Sequence, residues 1–144
     1  MASVDQVISA LKRLKQRLPS IVGTEAVEFA VNNIRKEQTA TGSAMKARKT
    51  RNRSDRRNRA SRGLLIDTGN GIRSIQIARA FTGLVSISME DYMQAHNTGA
   101  TINHPGRGTP YIINLPARPF LAKSKMLDNK ITAELIKQLN KAFR

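Results

Sequence analysis

The sequence predicts an α+β fold, and three observations carry that reading. Apolar residues recur at helical spacing near both ends of the chain, they alternate singly in the middle, and a long stretch between these regions has no apolar period at all. The expected order is two N-terminal helices, a long basic loop, a small antiparallel β-sheet and a C-terminal helix packed on that sheet. The chain reads as a single domain over 1–144, with a helical part (1–38), the loop (39–63) and the sheet with its closing helix (64–144).

Val4, Val7, Ile8, Leu11, Leu14 and Leu18 form the first helical stripe, with Lys12, Arg13, Lys15 and Arg17 off it. Ser3 is placed as an N-cap and Gln6 as its capping-box partner. Pro19 is expected to stop this helix and open a second one over about 20–37, whose buried side is Ala26, Val27, Ala30, Val31 and Ile34. The pair reads as a helical hairpin or as two consecutive bent helices. A basic amphipathic helix can also lie on a membrane, but a core-facing stripe is the commoner origin of the pattern.

From 39 to 63 the periodicity stops, and a connection of this length is functional or becomes ordered only on a partner. Ile75 and Ile77, then Val85, Ile87 and Met89, alternate with small or polar residues, and "FTG" at 81–83 is a turn between them, so a β-hairpin is expected. "MEDYMQAHNTG" reads as a short helix closed by Gly99, "NHPGRGTP" as turns, and "YIINL" from Tyr111 as a third strand. Pro119 can open the last helix, with a stripe of Phe120, Leu127, Ile131, Leu135, Leu139 and Phe143.

Composition narrows the function. Apolar residues make up 40% of the 144, enough for a modest core, but aromatics are only 4%, so Ile, Leu, Val and Met must build it. The absence of Cys excludes disulfides, thiolate metal sites and a Cys nucleophile. No apolar run approaches the roughly 20 residues of a membrane span, and the N-terminus lacks the apolar centre of a signal peptide, so a mature cytosolic start is expected.

Formal charge is +15. The run "KARKTRNRSDRRNRASR" at 46–62 holds Lys46, Arg48, Lys49, Arg51, Arg53, Arg56, Arg57, Arg59 and Arg62 against a single acid, Asp55. Such charge points to a polyanionic neighbour. The run has no aromatic residue on which bases stack, no zinc ligands and no recognition-helix pattern. Sequence-specific reading of DNA is therefore not expected. Salt-dependent attraction to phosphates, docking on an acidic protein rim, and a merely solvated loop all remain open.

Catalytic readings are weak. His96 and His104 bracket "NTGATIN" without an acidic cluster, so a metal nuclease is not indicated. The single "DTG" at 67–69 lacks the second aspartate that an aspartic-protease site needs, and it reads as a turn. "GRG" at 106–108 is too short for a phosphate loop. No enzyme, metal site or cofactor is expected.

Three segments then stand in a telling order: "LLIDTGNGIRSI" (64–75), "DYMQAHNTGA" (91–100) and "LPARPFLAKS" (115–124). Together they resemble the phage virion-morphogenesis family, which includes Mu-like tail-completion and head–tail joining proteins. Leu65, Thr68, Gly69, Ser74 and Ile75 match its first pattern. Tyr92, His96 and Gly99 match the second, and 116–121 match the third without a gap. Ile72 stands where that pattern has Leu, and Met93 where it has Ala.

The resemblance implies a non-enzymatic structural protein of the virion, made and assembled in the host cytoplasm and located at the head–tail junction. It implies a ring, a hexamer by analogy with tail symmetry, whose partners are neighbouring connector and tail-tube proteins. In such a ring the basic loop is expected to meet packaged DNA non-specifically or to dock on a neighbouring protein, and no membrane is involved. Within "PARPF", Phe120 is expected to be a buried plug. Arg118 is expected to bridge to a carboxylate or to backbone carbonyls, in its own subunit or the next. Tyr92, His96, Arg118 and Phe120 are the motif or interface candidates. The rival reading is a small basic nucleic-acid-binding protein without sequence preference, which the charge supports and the three motifs do not.

Overall fold

The computed structural model describes residues 3–47, 63–66, 68–105 and 109–143. Their order is α1 (Val4–Arg35), α2 (Asn70–Ser74), β1 (Gln76–Phe81), β2 (Leu84–Ser88), α3 (Asp91–Thr98), β3 (Ala100–His104), β4 (Tyr111–Leu115) and α4 (Lys125–Ala142). The class is α+β, with a long N-terminal helix, small antiparallel sheets and a C-terminal helix.

The capping box forms as its residue types dictate. Gln6 N donates to Ser3 Oγ at 3.3 Å, and Ser3 N donates to Gln6 Oε1 at 2.9 Å. The expected break at Pro19 does not occur, and α1 passes through the proline as one helix of 32 residues. A mid-helix proline costs about 3 kcal/mol, but Pro19 is buried, on the side of α1 where Gly23, one turn on, meets Ile77 and Val85 of the first hairpin. Glu134 and Gln138 of α4 lie beside Arg17, Ser20, Ile21 and Glu25, on both sides of Pro19 along α1. Lys130 reaches Glu25 at 3.0 Å and Glu28 at 3.1 Å. These contacts set α4 antiparallel to α1.

The C-terminal helix thus packs on α1, not on the sheet as the sequence had suggested. It also begins later, at Lys125, where Ser124 caps Leu127 N at 3.2 Å. Pro119 and Phe120 belong to the segment before it.

The strands form two separate two-stranded sheets, β1–β2 and β3–β4, both antiparallel, in place of the single sheet expected. The turn at Thr82–Gly83 falls where predicted, with Gly83 at φ +87°. The register slips between Ile77 and Arg79, a β-bulge that lets Ile77 and Ala80 both turn inward. A Cβ on Gly23 would lie 2.7 Å from Ile77 Cδ1 and 3.3 Å from Val85 Cγ1, so α1 and this hairpin meet in close contact at a residue without a side chain. β3 occupies "ATINH", a stretch the sequence reading left between the two histidines, and pairs Ala100 with Leu115 through His104 with Tyr111.

The core gathers at the C-terminal end of α1. Ala30, Ile34, Met45, Ile75, Met93 and Phe120 are buried together, with Val27, Leu64, Leu65, Ile66, Ile72, Ile87, Met89 and Leu121 packed around them. Ala40 and Met45 are buried too, so the first part of the expected loop belongs to the folded body.

Candidate functional site

The chain is held in detail at the two ends that flank 48–62, at Ala47 and at Gly63–Leu64. α1 ends at Lys36 with a Schellman pattern: Gln38 N donates to Asn33 O at 2.9 Å and Glu37 N to Ile34 O at 3.1 Å. This geometry puts Glu37 at φ +52°, among the described residues the only non-glycine at positive φ. Glycine is the default there, and a residue with a Cβ costs about 1 kcal/mol more.

What Glu37 does from that position explains why a side chain is kept. Its carbonyl accepts Met45 N at 2.8 Å, and its carboxylate oxygen Oε1 accepts Leu64 N at 2.9 Å. One residue therefore ties the chain just before the basic run to the chain just after it.

Arg118 completes the root. It is 4% exposed. Its Nε donates to Lys46 O at 2.7 Å and its Nη2 to Ala47 O at 3.3 Å, while its backbone N donates to His96 O at 2.8 Å. Nη1 lies 3.3 Å from His96 Nδ1. A guanidinium only donates, so His96 Nδ1 is the acceptor and its proton sits on Nε2. The two carbonyls held by Arg118 are those of the last residues before Arg48, so the guanidinium anchors the chain there. The planar fork matches adjacent carbonyls in a way that Lys does not.

The segment carrying Arg118 is bonded at nearly every residue. Pro119 O accepts Ala40 N at 2.6 Å, and Phe120 O accepts Asn33 Nδ2 at 2.9 Å. Leu121 exchanges two bonds with Asn97, its N donating to Oδ1 at 3.0 Å and its O accepting from Nδ2 at 2.9 Å. Gln38 Nε2 satisfies Asn33 Oδ1 at 2.9 Å, which leaves the buried Asn33 fully paired. "PARPF" is thus a rigid clip threaded between the end of α1, the 37–47 turn and α3, with Phe120 as its plug at 0% exposure. The plug is buried in the core cluster with Ile34, Met45, Ile75 and Met93, with Ile87 packed against it, while Ile77 and Val85 meet α1 at Gly23.

The structure brings Arg118, Phe120, His96 and Lys46 into this one region. Lys46 holds its place through its carbonyl and leaves its side chain exposed. Tyr92 is half exposed on α3, lying over Gly71 of α2. Arg48, Lys49, Arg51, Arg53, Arg56, Arg57, Arg59 and Arg62 lie outside the described residues, as do Asp67 and 106–108.

Glu37, Asn33 and Asn97 were missed by reading the sequence. Asn33 had left a signal, since it sits on the same helical face as Ala26 and Ala30, where a polar side chain demands a partner. Among the described residues no group of three or more His, Asp or Glu is placed to hold a metal ion, and no helix is long and apolar enough to cross a membrane.

Comparison with curated proteins and with solved structures returns no match. A model of the phage virion morphogenesis family matches residues 2–140, which takes in α1, all but the last two residues of α4, both hairpins and the residues that flank 48–62. The chain belongs to the phage virion morphogenesis family, and its role is in building the phage particle.

Proposed function

We propose that the protein is a non-enzymatic structural component of the head–tail junction, a tail-completion, terminator or neck protein that assembles as a ring joining tail to head. The hexamer is the stoichiometry this reading adopts. Its partners are copies of itself, the neighbouring connector and the tail-tube protein, and its place is the virion after assembly in the host cytoplasm.

The observation that supports this best is the root of the basic segment. Glu37 and Arg118 bind the chain on either side of 48–62, so both flanks of a dense cationic sequence are anchored to a folded body. A joining protein needs such anchoring of a sequence directed to packaged DNA or an acidic protein rim. The attraction is phosphate- or carboxylate-directed and falls with salt.

Negative-stain imaging of the purified protein, alone and mixed with tail tubes, tests the proposal. Rings, or rings capping the tubes, are the expected result. A monomer that shifts DNA at physiological salt and ignores tail tubes would instead establish the nucleic-acid-binding alternative, which the charge of +15 favours.

A further inference from the structure

We propose that the apolar face of the β3–β4 hairpin in one copy seats on the exposed apolar stripe of the first turns of α1 in a second copy. The inference rests on the ring reading above and names the two surfaces that close the ring.

The stripe comes first. α1 is about 48 Å long at 1.5 Å per residue, and the core buries only its second half. α4 runs back along it, bringing Gln138 beside Arg17 and Ser20, and ends one turn later at Ala142. The first turns of α1 extend past it. There Val4 is 75% exposed, and Ile8 and Leu11 are also exposed; Leu18, level with the last turns of α4, is exposed on the same face. They continue the helix face that further along buries Ala26, Phe29 and Asn33.

The hairpin supplies a matching surface. Its register puts Ala100, Ile102, Ile113 and Leu115 on one face, with His104 stacked on Tyr111 at its end, and Thr101, Asn103, Ile112 and Asn114 on the other. Ile102 and Tyr111 on the first face are exposed. An isolated two-stranded hairpin is marginal in water until something covers its apolar side.

Charge identifies the occupant. Residues 100–115 hold one charged side chain, Arg107, in a chain with 25 basic and 10 acidic residues. Copies bearing +15 repel through most of their surface. Arg107 apart, the hairpin is uncharged, so it is where two copies meet with the fewest opposed cations, and it can lie against a stripe that holds Lys15 between Leu11 and Leu18 and has Lys12 at its edge. An acidic partner would gain nothing from this face. The two patches differ, and the hairpin springs from the Arg118–His96 end, where α1 finishes. The contact is therefore head-to-tail, the kind that closes rings.

The test uses the full chain and two variants, Ile8→Lys and Ile102→Lys, in light scattering and native mass spectrometry, with thermal melts to check folding. The wild type is expected to assemble. Each variant is expected to keep its melting temperature and to weaken assembly at least tenfold. An equimolar mixture of the two should form dimers, because one intact pairing survives between them. Ile112→Lys, on the opposite face, should assemble as wild type. Rings that persist in both variants overturn the contact and leave the ring reading standing. Closed wild-type dimers that obey the variant pattern keep the contact and end the ring reading. A wild type that stays monomeric, or monomeric variants that fail to complement on mixing, overturns the proposed contact.

Discussion

The two hairpins are nearly equal in local structure and opposite in circumstance. Both are antiparallel, with strands of five or six residues. β1–β2 lies against α1, pressed so close at Gly23 that a methyl group there meets Ile77. β3–β4 leaves Ile102 and Tyr111 exposed on its apolar face. Strand propensity and turn chemistry make both hairpins. What separates them is whether the chain provides a helix face to cover them. The first hairpin is seated on a helix of its own subunit through Ile77 and Val85, with Phe81 and Leu84 exposed at its turn, and the second is the surface proposed to seat on another copy.

The largest expected effect removes the body on which the first hairpin stands. Phe120→Ala empties the centre of the core and should cost about 3–5 kcal/mol. Chemical denaturation should show it, or the variant should be insoluble; a loss below about 1 kcal/mol would mean that the core closes without its plug.

Next comes a direct attack on the comparison. Gly23→Leu inserts a side chain where Ile77 and Val85 sit, and overpacking of this kind costs about 1–3 kcal/mol. Near-neutral stability in a melt would show that β1–β2 is no more firmly seated than β3–β4.

Arg118→Ala sharpens the contrast from the other side, since Arg118 N is bonded to His96 O at the base of the second hairpin. Leaving the Lys46 and Ala47 carbonyls without their buried donor should cost about 1–3 kcal/mol. Because its bonds to Lys46, Ala47 and His96 lie within its own chain, assembly should fall only as far as folding does. A variant with an unchanged melting temperature and lost assembly would move Arg118 to an interface.

The smallest effect lies outside both hairpins. Partial burial alone would lower the Lys130 pKa, but hydrogen bonds to Glu25 and Glu28, with their charges, outweigh it and raise the pKa above the ordinary lysine value. A raised lysine pKa means that the charged form is favoured by folding. The stabilisation is therefore complete below the unfolded value of about 10.4 and is lost as pH rises through the folded value. The pair is partly solvated, so Lys130→Ala should cost no more than about 1 kcal/mol at pH 7. The difference between variant and wild type should vanish in melts at high pH.

How far the sequence revealed this follows from which forces are local. The capping box at Ser3, the turn at Gly83 and the helix end at Gly99 were legible because each is set by a few adjacent residues. Pro19 misled because a local penalty was outweighed by long-range packing: the proline is buried, on the side of α1 where Gly23 meets Ile77 and Val85. The placement of α4 failed for the same reason, since a half-buried stripe such as Leu127, Ile131 and Leu135 does not say what it faces. At the root, Phe120 as a plug could be read from its motif. Arg118 could be read as a donor to carbonyls, but which carbonyls is a long-range fact. Glu37 was invisible, because nothing in "RKEQT" shows that its Glu adopts a glycine's backbone geometry.

Hydrogen exchange on the free subunit and on its assembled form measures the contrast between the hairpins most directly. Amides of β1–β2 should be protected in both. Amides of β3–β4 should exchange rapidly in the free subunit and become protected on assembly, together with those of the first turns of α1. A β3–β4 hairpin already as protected in the free subunit as β1–β2, or unchanged on assembly, would contradict the view that this half of the molecule is completed by another copy.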